Sequence, residues 1–220
     1  MPEVSVTPES FEMVFYDSAV IGEVVAEVAE RLGIEEAINL EIDEQSPLGR
    51  SKIVSYDPIE LWVDGGALEN TQRPRQFGKA RSRDTIGRLL IRILDRRSGR
   101  FDDAPADEEL ELSQFAAWDV HCVGRLERLG IGGQQKRRQY QFRNRHGFTD
   151  VADAAFSQLW DSSELSWTEI ERISEECRSS YPRSRRLNWP QLALLSTDRF
   201  LISRQQDRIA VQNPVIRFDC

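Results

Sequence analysis

The pattern of hydrophobic and polar positions predicts a helix early in the chain. In residues 18–32 apolar side chains recur every three or four positions, while three glutamates occupy the opposite face. This is the period of an amphipathic helix, and Gly33 follows as a stop signal. Before it, residues 12–16 are rich in β-branched and aromatic side chains, which predicts a short strand.

Three more strands are predicted from the segments that follow. In residues 37–44 apolar and polar side chains alternate, as in a strand with one buried face. Residues 51–56 and 59–64 have strand composition, and the Asp57-Pro58 dipeptide between them is a turn signal.

The second half of the chain has the helical period. It predicts helices over residues 84–97, 112–130, 149–160 and 166–177, whereas the basic residues 71–83 are expected to form a connector. Strands come first and helices later, so we predict an α+β fold. It has a small mixed sheet of about three or four strands, helices packed on it, and a mainly helical C-terminal half.

Three parts are expected along the chain. Residues 1–100 form an α+β sheet domain, residues 101–180 a helical portion packed on it, and residues 181–220 a loosely attached tail without a sustained period. Ser166 and Glu169 have the spacing of a capping box at the start of the last predicted helix.

The distribution of charge is uneven. The formal net charge is -8, yet residues 130–149 hold five bases and no acid. Residues 1–70 hold 16 acids and 3 bases, so the chain has its own carboxylates to pair with the basic segments. Net charge alone therefore gives no case for nucleic-acid binding.

The cysteines and the hydropathy indicate a compartment. Cys122, Cys177 and Cys220 are few and far apart, which favours reduced thiols over a disulfide framework or a zinc site. No segment has the run of about 18 apolar residues that a membrane span needs. We therefore expect a soluble, cytoplasmic protein with no membrane partner.

The basic aromatic segment of residues 132–148 is the first candidate site. We expect it to be extended, which places rings and cations where bases stack and phosphates pair and would suit single-stranded nucleic acid or another phosphate ligand. Alternatively, Tyr140 and Phe142 fill the core while the arginines meet acids within the chain. The candidate residues here are Lys136, Arg137, Arg138, Tyr140, Arg143, Arg145 and His146.

A second candidate is the stripe formed by Arg88, Arg92 and Arg96 on a predicted helix. Like charges at this spacing destabilise a helix by a few tenths of a kcal/mol per pair, so an anionic partner is expected. Glu41 and Asp43, on the polar face of a predicted strand, are the internal candidates. A phosphate or a second protein is the external one.

Enzymatic chemistry has little support in the sequence. His146 precedes a predicted helix, and Asp150 or Asp153 is a candidate carboxylate partner for it. His121 neighbours Cys122, but adjacent helix positions do not face each other. No metal-ligand spacing and no nucleotide-binding glycine motif is present, so we predict neither a metal nor a cofactor.

The order of the predicted elements in residues 11–97 resembles that of minimal zincin-type metallopeptidases. In that family a helix carrying H-E-x-x-H follows an edge strand, for which residues 59–70 would stand here. The matching helix positions read Arg88-Leu89-Leu90-Ile91-Arg92. Arginine has no lone pair for zinc and leucine accepts no proton. The resemblance therefore implies a zincin-like scaffold without its metal or its catalysis.

Taken together, these patterns predict a non-enzymatic cytoplasmic protein that acts by binding. An acidic protein is the first expected partner, and its contact surface comprises the arginine stripe and residues 136–146. Single-stranded nucleic acid or phosphate is the second expected ligand, and an enzyme centred on His146 is the third reading. The sequence leaves the oligomeric state open.

Overall fold

A small mixed sheet dominates the first half of the computed structural model, which describes residues 1–180. The strands are β1 (Val4–Thr7), β2 (Ile38–Asp43), β3 (Ser51–Ser55), β4 (Ile59–Asp64), β5 (Glu69–Asn70) and β6 (Arg73–Phe77). The sheet order is β1-β2-β4-β3, in which the first three run parallel and β3 is antiparallel to β4. β5 and β6 form a separate antiparallel pair. The predicted tail, residues 181–220, lies outside the described residues.

Six helices complete the described chain, and most of them follow the sheet. They are α1 (Ser18–Arg31), α2 (Lys79–Arg97), α3 (Leu112–Arg128), α4 (Gln135–His146), α5 (Asp150–Asp161) and α6 (Trp167–Ser180). α1 connects β1 to its parallel neighbour β2, which a hairpin cannot do. The predicted fold class is confirmed: the protein is α+β, with a small mixed sheet and a helical second half.

The alternation in β2 decides which face of the sheet is buried. Ile38, Leu40 and Ile42 are buried, while the two residues between them are exposed. Val25 of α1 and Leu90 of α2 belong to the same core cluster. The helices therefore pack against the apolar face of the sheet, as the pattern predicts.

Aromatic side chains fill the core of the helical half. The ring of Trp118 stacks on Phe101 with centroids 5.1 Å apart and meets Trp167 edge-on at 5.9 Å. All three are almost fully buried. The indole Nε1 of Trp118 donates to Asp95 Oδ2 over 2.8 Å, so its one polar atom is satisfied. Removing such a buried ring typically costs about 3–5 kcal/mol of stability.

The first strand differs from the prediction. Residues 12–16 form no strand, and Phe15 makes only an isolated bridge to Gln76 with its side chain exposed. The first strand of the sheet is instead β1, where Val4 and Val6 alternate with polar residues. Its four residues lie between two prolines and are too few for the period to stand out.

The predicted basic connector, residues 71–83, also contains regular structure. It includes β6 and the first turn of α2, which begins at Lys79 rather than at Asp84. The buried Ser82 hydroxyl donates to the carbonyl of Gly78 over 3.0 Å, inside this first turn. The turn carries no apolar side chain longer than alanine, so the hydrophobic period does not reveal it.

The basic aromatic segment is a helix, and the prediction that it is extended is wrong. Arg138, Phe142 and His146 are the buried residues of α4, at intervals of four along one face. Two of these three inward side chains are polar, so the segment lacks the apolar stripe that normally marks a helix. Arginine, glutamine and lysine are nonetheless good helix formers.

The predicted start of the last helix is confirmed. The backbone N–H of Ser166 donates to Glu169 Oε2 over 2.8 Å, and the N–H of Glu169 donates back to Ser166 Oγ over 3.4 Å. This reciprocal pair satisfies two donors that the helix leaves without internal partners.

Candidate anion-binding cleft

A cleft of about 540 Å³ lies between the loop before β3 and the helices α2, α3 and α4. Its walls are unusually basic, since six arginines line it against two acids, Asp84 and Asp119. We call it the arginine cleft; its arginines are Arg50, Arg81, Arg88, Arg137, Arg138 and Arg145.

Helical spacing brings these side chains to one side of each helix. On α2, Arg81, Asp84 and Arg88 are separated by three and four residues. On α4, Arg138 and Arg145 are separated by seven residues, which is two turns. Such intervals repeat on one helix face, so each helix presents a continuous polar stripe to the cleft.

The floor of the cleft is a closed quartet of two arginines and two aspartates. Arg138 lies 2.6 Å from Asp84 and 2.9 Å from Asp119, measured between nitrogen and oxygen. Arg88 lies 3.4 Å from Asp84 and 3.0 Å from Asp119. The four charges cancel, and three helices are joined through charge-assisted hydrogen bonds. The quartet therefore stabilises the packing of α4 on α2 and α3.

The electrostatics of the quartet favour its charged form. Burial alone would raise the pKa of the Asp119 carboxyl, but Arg88 and Arg138 outweigh it and hold that pKa below its ordinary value. Burial alone would lower the pKa of Arg88, but Asp119 and Asp84 outweigh it and raise that pKa. Both partners consequently stay ionised at neutral pH.

The rim of the cleft carries charge that the quartet does not neutralise. Arg81 donates to the carbonyl of Ala67 over 3.2 Å, and Arg137 donates to Gln134 Oε1 over 3.2 Å. Neither of these, nor Arg145, forms an ion pair with any of residues 1–180. Three positive charges therefore remain around the opening.

Arg50 also lies on the rim, but it differs from these three arginines because it has an ion-pair partner. Its guanidinium Nε lies 2.9 Å from Oδ2 of Asp64, a side chain that is fully buried while that of Arg50 is 64% exposed. The backbone N–H of Arg50 donates to the same oxygen over 2.8 Å. The charge of Arg50 is thus already paired, and the pair anchors the loop before β3.

Apolar side chains line the α3 side of the cleft. Leu112 is 63% exposed and Phe115 is 40% exposed. The guanidinium of Arg92 lies over the Phe115 ring, 4.6 Å from its centroid. The cleft therefore combines exposed apolar surface with unpaired cations.

Four of the ten predicted binding residues line the cleft: Arg88, Arg137, Arg138 and Arg145. Arg88 and Arg138 belong to the neutral quartet, while Arg137 and Arg145 are exposed on the rim. The structure thus joins part of each predicted site, the α2 stripe and the basic segment, in one place.

Arg92 and Arg96 of the predicted stripe lie elsewhere. Their guanidinium carbons stand over the Trp118 ring at 4.2 and 5.1 Å from its centroid. Both pair with Asp107, at 3.6 Å for Arg92 and 2.9 Å for Arg96. Arg92 is only 8% exposed, so it is part of the packed interior.

The expectation that Glu41 and Asp43 neutralise the stripe is wrong. The stripe pairs with Asp84, Asp119 and Asp107, all on α2, α3 or the loop between them. Glu41 is exposed on the polar face of the sheet, whereas α2 covers the apolar face. The sheet itself separates the predicted partners.

The remaining residues of the basic segment have separate surroundings. Tyr140 is 59% exposed against Phe148, with ring centroids 5.8 Å apart, so the expectation that it fills the core is wrong. Phe142 is fully buried, as predicted. Arg143 pairs with Asp153, and Lys136 is exposed outside the lining of the cleft.

His146 is enclosed within the helical half. It is 2% exposed, and its Nε2 lies 2.9 Å from the Ser174 hydroxyl. Burial, reinforced by the nearby cation Arg178, lowers the pKa of His146 to about 4. The candidate pairing with Asp150 or Asp153 is wrong, because the two ring nitrogens lie against the Phe142 carbonyl and Ser174, and Asp153 binds Arg143. A buried, neutral imidazole has no route to a substrate in this geometry.

Sequence reasoning missed several residues of the cleft. Arg81 lies two helical turns before Arg88 and would extend the stripe once α2 is known to begin at Lys79. Arg50, Leu112 and Phe115 carry no comparable signal, because nothing in their own segments indicates which helix they face.

The described residues give less support to a metal ion or a membrane as the ligand. Among residues 1–180 no group of three or more His, Cys, Asp or Glu side chains is arranged to hold a metal ion. In the same residues no helix combines the length and apolarity needed to cross a membrane.

Comparison with known proteins adds no further assignment. No protein-family model matches the chain, no curated protein resembles it in sequence, and no solved structure matches its fold. The inference of function therefore depends on the chemistry of the arginine cleft.

Proposed function

We propose that the protein acts by binding, and that its arginine cleft takes up the carboxylates of an acidic segment of a partner protein. The observation that carries the proposal is the set of three rim arginines, Arg81, Arg137 and Arg145, which have no carboxylate partner in residues 1–180. Arginine presents a planar fork of donors that matches a carboxylate in two parallel hydrogen bonds.

Buried polar atoms beneath the rim also support a ligand there. Arg138 Nε and Asp84 Oδ1 are buried without a hydrogen-bond partner among the described residues. Buried polar groups are nearly always paired, so Arg138 Nε can still donate a hydrogen bond to a ligand carboxylate, whereas Asp84 Oδ1 can only accept one from a donor. Both belong to the quartet that forms the floor of the cleft.

The charge of the whole chain favours carboxylates over a nucleic-acid backbone. The net charge of -8 repels a long polyanion, whose affinity rests on many phosphate contacts. Three local cations suffice for a short acidic segment. A volume of about 540 Å³ is also in the range of sites that enclose small ligands or a few side chains.

Single-stranded nucleic acid is the second candidate, and one observation favours it. Tyr140 and Phe148 form an exposed ring pair, and Tyr140 lies one helical turn from Arg137. Exposed rings beside arginines are the parts that stack bases and pair phosphates.

The setting of the function is part of the proposal. A cytoplasmic location is supported by Cys122, a buried thiol outside any disulfide, as is usual in reducing compartments. The zincin-like scaffold stays a prediction. Catalysis at His146 has no support from the cleft, whose lining does not include it.

The proposal is tested by fluorescence anisotropy with a labelled peptide in which Glu alternates with Ala. The Arg137→Glu/Arg145→Glu variant is expected to bind at least about ten-fold more weakly than the wild type, since two charge-assisted contacts become repulsive. The matched control is Lys52→Glu/Arg73→Glu, which reverses the same number of exposed cations outside the cleft.

If the two double variants weaken peptide binding equally, binding depends on overall charge alone, which would contradict the proposed role of the cleft. Labelled oligothymidylate is titrated in parallel at low and physiological salt. If that probe binds tightly with steep salt dependence and the peptide does not bind, the proposed ligand is nucleic acid instead of a protein partner.

A further inference from the structure

The composition of the cleft walls specifies its partner more closely. Cations alone would suit any acidic segment, but the α3 side of the cleft exposes Leu112 and Phe115 beside them. Leu112 is the first residue of α3, and Phe115 follows it one turn later, so the two form a single apolar step. An acid-only ligand would leave this step in water.

The step is open on the side that faces the cleft. One face of the Phe115 ring is covered by Arg92, whose guanidinium carbon lies 4.6 Å from the ring centroid. Leu112 remains 63% exposed despite its position in the lining. An occupant that carries apolar side chains would remove both residues from water, and it would also strengthen the charge pairs by excluding solvent around them.

Building on the proposed function, we infer that the partner segment interleaves apolar side chains with its acids. The acids pair with Arg137 and Arg145 on the α4 side, and the apolar groups pack on Leu112 and Phe115 on the α3 side. Rim charge and apolar surface together define this occupant, since neither wall alone is complementary to it. Arginine and aromatic residues are also the types enriched where binding energy concentrates.

The test compares two labelled peptides of equal length and charge on the full 220-residue chain. One alternates Glu with Ala and the other alternates Glu with Leu. Wild type is expected to bind the Glu/Leu peptide about ten-fold more tightly, which is the gain expected from burying about two further methylene groups. The Leu112→Ser variant is expected to lose most of that preference.

A matched control lies on the same helix element. Leu129, the C-cap of α3, is 43% exposed and lies outside the lining of the cleft. The Leu129→Ser variant is expected to keep the full preference for the Glu/Leu peptide. Thermal unfolding of both variants checks that the fold is intact; exposed positions of this kind normally tolerate substitution.

Each outcome decides between the inference and the proposed function. If both peptides bind equally and both depend on Arg137 and Arg145, the apolar step has no role and the anion-binding function stands. If neither peptide binds, both ideas fail. If Leu129→Ser removes the preference as fully as Leu112→Ser, the contact lies outside the cleft and the inference is overturned.

Discussion

Two arginines of α2 and two of α4 come from similarly basic stretches but have opposite surroundings. Arg92 and Arg96 on α2 are held between Asp107 and the face of Trp118. Arg137 and Arg145 on α4 are exposed at the opening of a cleft, and no carboxylate of residues 1–180 pairs with them. A run of cations therefore indicates a ligand site only where the fold leaves its charges unpaired.

Within α4 the same contrast appears between neighbouring residues. Arg138 points to the interior and closes the quartet, whereas Arg137 points outward. Consecutive helix positions differ by about 100°, so one of these adjacent arginines is packed in the quartet while the other is exposed on the rim.

Arg138→Met should cost the most stability. It removes one cation from a buried quartet and leaves Asp84 and Asp119 to share Arg88, which typically costs about 3–5 kcal/mol. Urea unfolding measures the loss. The matched control, Arg137→Met, should stay within about 0.5 kcal/mol of the wild type. Equal losses in the two variants would contradict the distinction between the floor and the rim.

The inward face of α4 should also make stability depend on pH through His146. Its pKa is about 4 in the folded protein, against about 6.5 in the unfolded chain. The stabilisation is complete above pH 6.5 and is lost as pH falls toward 4, because the unfolded chain then binds the proton more readily. We expect a loss of roughly 3 kcal/mol by pH 4.

Urea unfolding of His146→Gln across the same pH range checks this expectation. The variant should show a shallower fall, and His121, whose pKa burial also lowers to about 4, contributes to the remainder. An unchanged slope in the variant would show that His146 is not the titrating group.

A single rim charge should have a smaller effect, and only on binding. Arg145→Met should weaken binding of the Glu/Leu peptide by about ten-fold, which corresponds to the loss of one charge-assisted hydrogen bond. Lys136→Met removes an equally exposed charge from the same helix, outside the lining of the cleft, and should change the affinity by less than about two-fold. Similar losses in both would indicate diffuse attraction to α4 instead of a defined site.

Arg143→Met should have the smallest effect. Its partner is Asp153, and both side chains are about one-third exposed, so solvent screens the pair. Peptide affinity should be unchanged, although Arg143 lies in the middle of the basic segment. A loss of affinity comparable to that of Arg145→Met would extend the site beyond the cleft.

Much of the fold could be predicted from local periodicity. The alternation in β2, the spacing of α3 and the capping box at Ser166 each appear in the structure where the pattern puts them. These patterns can be recognised in the sequence because the buried side chains are apolar. α4 was missed as a helix because its buried face is Arg138, Phe142 and His146, so polarity concealed the period.

The arrangement of the site was harder to predict than its composition. Arg88 and Arg138 are obvious candidates from charge, but their neutralisation depends on Asp119, which α3 supplies from elsewhere in the chain. Tertiary packing decides which arginines are paired, and no local sequence pattern reveals it. Leu112 enters the site for the same reason.

The most direct test of the account is an NMR titration that follows the arginine side-chain Nε–H signals while the Glu/Leu peptide is added. Saturating shifts are expected for Arg81, Arg137 and Arg145 on the rim. The signals of Arg96, which pairs with Asp107, and of Arg143, which pairs with Asp153, should stay in place. Shifts confined to arginines outside the cleft, or no saturating shift on its rim, would contradict the claim that the arginine cleft is the binding site.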